Sequence, residues 1–409
     1  MNVQARAAQP IAFTSLGSAD VARNLAVEGH ATASAIETEW RLLEATGIGT
    51  VFQRFDWVDS YARHVAPHEG LEPAFLLGRL DGHPAFVLPL GIERIGPLRI
   101  ARWLGGSHSG YNFGLWSREA ADMLPRLGRA GIVDMLRRAL PDVDGAVLER
   151  IPFEHDGVGQ PLAAIPLLRS PVEGYSVSLD GGMEAVIART GGKARRRRAR
   201  SKERRMAQFG NVEHGIITDI EEAHAALDFF AEQKAMRLAE QGLPNVFGRP
   251  GVMHFLNDLL DRSVGQREPL LQITGYRVAG KLRAVVGSGV HNGRVNVYIL
   301  TLIHDETLPH SPGQVLMYRH VEECCERGYR HFDFGVGYEL YKESWADTRH
   351  ALFDGYLSFT AKGTAFIGAI KLREQGKLLL RRNARLWKLL KALRNRDVAR
   401  AEEKDPHED

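Results

Sequence analysis

The stretch from Pro269 to Trp345 constrains the fold more than any other part of the chain. Pro269 to Tyr276, Lys281 to Val290 and Arg294 to Leu302 read as three strands joined by turns at Val278-Ala279-Gly280 and Asn292-Gly293. Asn-Gly between apolar runs is a hairpin signal, because both residues accept the positive φ of a tight turn. The period then changes. Val315, Leu316, Tyr318, Val321 and Cys324 repeat at helical spacing, opened by Ser311-Pro312-Gly313 and closed by Gly328. Tyr329 to Phe334 returns to alternation and breaks at Gly335-Val336-Gly337, ahead of a Tyr-Glu-Leu-Tyr-Lys segment. A meander followed by helix, strand, helix and a last strand at Ala351 to Phe359 predicts an α+β core.

Two features of this run carry chemistry. A helix start leaves backbone N–H groups unpaired and bears about half a positive charge, so a phosphate could dock at Ser311 to Gln314, with Gly313 allowing close approach. The same residues also read as a plain N-cap with proline at N1. Lys342, just after a buried strand, is suited to neutralise a developing oxyanion or a leaving phosphate. Read instead as a solvated lysine, with Trp345 as a core anchor, the motif would be structural.

The strand end Asn296-Val297-Tyr298-Ile299-Leu300, the Ser311-Pro312-Gly313-Gln314-Val315-Leu316 loop, Asp333-Phe334-Gly335 and Tyr341-Lys342-Glu343-Ser344-Trp345 together resemble the CelD (cellulose-biosynthesis) acetyltransferase family, in the Fem-like branch of the GNAT superfamily. The resemblance runs from about Phe52 to Phe359 and is specific in the second half. It implies two tandem GNAT-like domains, each a mixed, mostly antiparallel sheet flanked by helices, with a cleft between them. It further implies acetyl-CoA or another acyl-CoA as donor and no metal. Leu300, Thr301 and Leu302 would face the pantetheine through backbone groups, while Ser311, Gly313 and Gln314 would hold the pyrophosphate. The usual Gln/Arg-x-x-Gly-x-Gly/Ala loop of GNAT enzymes is not present, and Ser311 to Gln314 stands in its place, which leaves acyl-CoA and aminoacyl-tRNA both open as donors.

An amine acceptor must lose a proton during acyl transfer. Glu339 and Tyr338 rank first as catalytic partners of Lys342, ahead of Asp333 and His304, while Fem-like enzymes are described as lacking an obvious protein base. Asp333, Tyr341 and Trp345 are candidates for contact with the acceptor.

At 409 residues the chain exceeds one ordinary core, and two domains are the default. The prolines from Pro152 to Pro171 mark the boundary, giving a weakly ordered start (1–35), an N-terminal unit (36–165), a C-terminal unit (166–362) and a basic tail (363–409). In the first unit, Ile36 to Ala45, Trp57 to Val65 and Glu119 to Ala139 read as helices. Pro73 to Arg79, Ala85 to Ile92, Arg99 to Leu104 and Gly145 to Glu149 read as strands. The Gly105 to Asn112 loop is either a connection or a wall of the acceptor cleft, offering His108, Tyr111 and Asn112.

A net charge of +3 excludes a nucleic-acid-binding polycation, and no DNA partner is expected, so electrostatic partners must be read locally. The run from Lys193 to Arg205 places cations all round a helix. It reads as a solvated face, as a site for phosphates of a nucleotide-linked, lipid-linked or tRNA ligand through residues such as Lys193 and Arg196, or as a membrane or nucleic-acid patch. From Lys371 to Arg396 apolar residues and Trp387 alternate with Lys and Arg, which suits either a packed terminal helix or one lying on an anionic membrane surface. Arg381-Arg382-Asn383-Ala384-Arg385 also resembles arginine motifs that bind cyclic dinucleotides. Adjacent Cys324 and Cys325 give no disulfide framework, and the absence of a long apolar run points to the cytoplasm, with peripheral contact at the inner membrane face. The expected function is acyl transfer from acyl-CoA to an amino sugar or related precursor in exopolysaccharide or envelope synthesis. A Fem-like aminoacyl-tRNA transferase and a non-catalytic GNAT-fold membrane- or nucleotide-binding protein are the alternatives.

Overall fold

The computed structural model of the chain describes residues 24–382. The first half runs through β1 (Leu25–His30), α1 (Glu37–Thr46), α2 (Phe55–His64), β2 (Leu71–Leu80), β3 (His83–Ile95), β4 (Leu98–Trp103), β5 (Leu115–Trp116), α3 (Arg118–Met123), α4 (Gly128–Ala139) and β6 (Gly145–Pro152). The small hairpin β7 (Glu154–His155) and β8 (Val158–Gly159) follows, then β9 (Leu167–Ser178). The second half contains α5 (Gly182–Thr190), α6 (Gly192–Met206), β10 (Val212–Ile216), α7 (Ile220–Glu240), α8 (Val252–Ser263), β11 (Gln272–Val278), β12 (Lys281–His291), β13 (Arg294–Leu302), α9 (Pro312–Glu326), β14 (His331–Val336), α10 (Leu340–Trp345), β15 (Thr348–Ser358) and α11 (Ala361–Arg382).

Each half repeats one plan. An antiparallel meander ends in a strand that pairs parallel to the strand after a helical crossover, β4 with β6 and β13 with β14. The two sheets are continuous, in the order β1-β2-β3-β4-β6-β15-β9-β14-β13-β12-β11-β10. Their join is an exchange. β9, which follows the first half in sequence, pairs with β14 of the second, whereas β15, near the end, pairs with β6 of the first, and the two pair with each other. The fold is thus the tandem α+β arrangement, with the seam built from strands that each half lends to the other.

A mixed hydrophobic core reinforces the seam. Trp57 of α2 meets Phe255 of α8 edge-on at 5.4 Å between ring centroids, and Arg262 of α8 donates to Asp56 and Asp59 of α2, both at 2.9 Å. The buried Arg54 reaches the carbonyl of Glu268 at 2.6 Å. Buried charge persists only where its hydrogen bonds are supplied, and here the partners come from both halves.

Several local readings change. Within the start expected to be weakly ordered (1–35), Leu25–His30 form β1, paired with β2, and a 3-10 turn at Ala33–Ile36 follows. The single helix expected over Glu119 to Ala139 is two, parted by a 3-10 turn at Leu124–Leu127, because Pro125 has no N–H for the helical ladder. The helix expected between the strand at Tyr329 to Phe334 and the last strand is the short α10, which carries Tyr341 to Trp345. The amphipathic basic segment beyond Arg382, with Trp387 and most of the arginine motifs, lies outside the described residues.

Candidate active site

The two parallel strands of the second half stay together for only three residue pairs, Arg294 with His331, Val295 with Phe332 and Asn296 with Asp333. Beyond them β14 turns away. The cause is local: Asp333 Oδ1 accepts the N–H of Gly335 at 2.7 Å, a side-chain turn that pulls the backbone out of register. Gly335 has φ of 78°, and a Cβ there would come within 3.0 Å of the Val297 carbonyl, so glycine is required. The divergence leaves the β14-facing edge of β13 after Asn296 unpaired by any strand among the described residues.

A cavity of about 190 Å³ opens in this wedge, bordered by Val297 to Leu300, Phe334 to Val336, Glu339, Tyr341 and Lys342. Phe52, Ser107, His108 and Gly110 of the first half close one side, and Phe230, Lys234 and Arg237 of α7 another. Lys342 projects from the first turn of α10, is 6% exposed, and donates through Nζ to the Val336 carbonyl at 2.8 Å. Glu339 Oε1 lies 3.8 Å from the same nitrogen. Burial lowers the Lys342 pKa below the ordinary lysine value, and Glu339 and Asp333 oppose that shift. Lys234 is likewise lowered, by burial and by Arg237. Lys342, Lys234 and Arg237 face one carboxylate, Glu339, so the cavity favours an anion or a developing negative charge.

A second pocket of about 360 Å³ lies on the far side of Tyr341, which borders both. Arg195, Arg198 and Lys202 of α6 line it, facing Gln314 and Tyr318 of α9 and Leu340, Ser344 and Trp345 of α10. Lys202 Nζ donates to Gln314 Oε1 at 2.5 Å, and the Arg195 guanidinium sits 3.9 Å over the Trp345 ring, a cation–π contact that fixes α6 to the helix bearing Lys342. The start of α9 offers less than a bare helix N-terminus. Pro312 has no N–H, and Gln314 and Val315 both donate to the Ser311 carbonyl at 3.0 and 3.3 Å. A phosphate here would be met by α6 side chains and the Gly313 N–H.

The structure brings some of the expected residues together and separates others. Lys342, Glu339, Tyr341 and Leu300 border the wedge cavity, and Gln314, Tyr341 and Trp345 the cationic pocket. Thr301 is fully buried with its Oγ1 unbonded, and Leu302 packs where a Cβ on Gly313 would come within 3.1 Å. Ser311 adopts a left-handed φ of 55° and its side chain caps nothing. Tyr338 is exposed and donates to Glu343 at 3.1 Å, away from the cavity; His304 lies beside Glu240. Asn112 is spent on Ser109 and the Glu149 carbonyl. Tyr111 donates to Asp333 Oδ1 at 2.9 Å, so both are held in a buried pair. Lys193 is exposed, and Arg196 pairs with Glu184; the cations at the pocket are their neighbours along the helix. Sequence reasoning missed Lys234 and Arg237, whose only signal was their one-turn spacing on the long helix, and it left His108 without a catalytic role. His108 is buried, its Nδ1 lies 2.6 Å from Tyr298 Oη and its Nε2 is unbonded; burial takes its pKa down to about 4.

Residues 193–343 match the sequence model of the acetyltransferase (GNAT) domain. That span holds the basic helix, the wedge and Lys342. No curated protein matches the chain in sequence. Among solved structures, FemX is 11% identical and aligns over 80% of this chain and 96% of its own with a TM-score of 0.54. A conserved protein of unknown function from Bacteroides thetaiotaomicron VPI-5482 is 11% identical over 81% of this chain and all of its own, at 0.52. A tandem GNAT protein from the clavulanic acid biosynthesis pathway is 14% identical, covering 82% and 99%, at 0.46. At such identities the likeness is one of fold. Residues 193–343 thus match a GNAT domain, and the strand plan of that half is repeated in the first. Among the described residues no group of three His, Cys, Asp or Glu side chains is arranged to hold a metal, and no helix is long and apolar enough to cross a membrane.

Proposed function

We propose that the protein transfers an acyl group, acetyl in the simplest case, from acyl-CoA to an amine of an amino sugar or related envelope or exopolysaccharide precursor. The observation that carries this reading is the position of Lys342 Nζ, buried and held at 2.8 Å from the Val336 carbonyl in the wedge where β14 leaves β13. The free edge of β13 suits an extended amide-bearing arm, which would pair with it as a strand does. The cationic pocket of Arg195, Arg198 and Lys202 suits the donor's phosphates. In the reaction the acceptor amine adds to the thioester carbonyl, the nitrogen gives up a proton, and the thiolate departs as the amide forms. Lys342 stabilises the oxyanion of the tetrahedral stage, with Lys234 and Arg237 adding to the field. Glu339, beside Lys342 and open to solvent, is the carboxylate at hand for the proton.

A second donor, aminoacyl-tRNA, is favoured by one observation. Arg197, Arg200, Arg204 and Arg205 are exposed beyond the pocket, more cations than a coenzyme's phosphates would occupy. The test is transfer from radiolabelled acetyl-CoA to a panel of free and nucleotide-linked amino sugars, run beside charged tRNA with and without ribonuclease. Label transferred from acetyl-CoA and insensitive to ribonuclease supports the first reading; transfer only from tRNA, abolished by ribonuclease, replaces it with the second.

A further inference from the structure

A third cavity, of about 560 Å³, lies on the opposite side of the Tyr111–Asp333 pair from the wedge cavity. It is bounded by the β7–β8 hairpin of the first half and by the starts of β13, β14 and β15. The Tyr111 ring stands between the two spaces, 6.2 Å from His350 in this cavity and 6.3 Å from Phe52 in the other.

Its lining is built for recognition. Arg294, Arg330 and Arg349 border it together with the carboxylates of Glu154 and Asp156; Arg294 pairs with Asp156 and Arg349 with Glu343, while Arg330 donates to the Asn292 carbonyl at 2.6 Å. Arg294 has a side chain only 9% exposed; it donates to Asp156 Oδ1 at 2.7 Å and keeps its Nε unbonded. A buried guanidinium with an unused donor is costly unless something completes it. His155, His331 and His350 are held below the ordinary histidine pKa, chiefly by burial; neutral His155 donates its Nε2–H to the Gly49 carbonyl at 3.1 Å, which leaves its Nδ1 as an acceptor. His350 spends one ring nitrogen on Ser176 Oγ at 2.6 Å. At the lip, Phe153 is 59% exposed, with its ring centroid 5.8 Å from that of Phe353.

We propose that this cavity binds a hexose phosphate. Arginine forks match a phosphate's oxygens, neutral imidazoles and the Ser176 hydroxyl match sugar hydroxyls, and an exposed phenyl ring at the mouth covers the apolar face of a pyranose. The site goes beyond the transferase reading and does not depend on it, because it lies outside the wedge and uses none of its residues. The phosphate can belong to a free sugar or to a carrier-linked one.

Calorimetric titration of the full chain with glucosamine 6-phosphate, UDP-N-acetylglucosamine, glucosamine and inorganic phosphate tests it. Expected is saturable binding of one of the first two, weakened about ten-fold or more by Arg330→Gln and by Arg294→Lys and unchanged by Lys202→Ala. The tighter of the two ligands identifies the free or carrier-linked form. Arg330 is exposed, so its variant tests the site even if Arg294→Lys disturbs folding. Absence of binding at millimolar ligand overturns the proposal. So does equal affinity for inorganic phosphate or for unphosphorylated glucosamine, or binding that survives the cavity variants and is lost in Lys202→Ala.

Discussion

Tyr111 donates its phenolic hydrogen to Asp333 Oδ1 at 2.9 Å, joining a loop of the first half to the strand of the second that opens the wedge. The same Oδ1 accepts the Gly335 N–H that turns β14 aside, so one buried carboxylate both shapes the wedge and ties it to the other half. Burial and Asp333 push the Tyr111 pKa well above its ordinary value, which keeps it a donor. Gly174 makes room: a Cβ there would lie 2.1 Å from the Tyr111 oxygen.

Tyr111→Phe leaves that carboxylate short of a donor in a dry site, and is expected to lower stability by about 1–3 kcal/mol in urea unfolding. Because the carboxylate also sets the angle of β14, turnover should fall as well. Wild-type stability in this variant would mean the pair does not hold the halves together.

Lys342→Met removes the charge at the wedge while keeping the aliphatic bulk. Turnover should fall by about 10²- to 10³-fold, with thermal stability unchanged or raised because a buried charge no longer has to be solvated. Equal losses of stability and turnover would instead make Lys342 structural.

The pH dependence of Lys342 follows from its lowered pKa. Between its folded pKa and the ordinary lysine value the unfolded chain binds more protons, so this group's contribution to stability rises with pH across that window. The activity that needs the charged lysine runs the other way, with an alkaline limb below pH 10.5 that Lys342→Arg shifts upward or abolishes.

Buried histidines set the acid side. His320, between Thr274 and Ser288, is taken down to about 3, and His155 to about 4, chiefly by burial. Both are neutral in the folded chain and protonate on unfolding below about pH 6.5, so stability falls as pH drops from there towards the folded values. By pH 5 the loss is roughly 2 kcal/mol for each such residue, and urea midpoints at pH 7 and 5 measure it. His320→Gln should flatten the dependence.

Much of the fold was legible from local pattern. Ile220 to Glu240, the three-strand meander and the Asn292-Gly293 turn lie where periodicity and turn chemistry put them. The strand exchange was not, because β9 and β15 find partners across the whole chain and nothing local encodes those pairings. Lys342, read in the sequence as a lysine presented by a break after a buried strand, borders the wedge cavity. Lys234, Arg237 and His108 were not legible, since each reaches the cavity from an element whose orientation depends on packing between the halves. The basic helix was visible as composition, but its register was not: Trp345 and Gln314 select Arg195 and Lys202 in place of Lys193 and Arg196.

Binding of acetyl-CoA, followed by calorimetry on the wild type and Lys202→Ala, decides whether a donor sits between the wedge and the basic helix. Gly313 is a poorer position for the purpose, because a side chain there would press on Leu302. Micromolar binding is expected for the wild type, weakened about ten-fold in Lys202→Ala. No binding to the wild type, or equal binding to both proteins, would contradict a donor seated between the wedge and the basic helix.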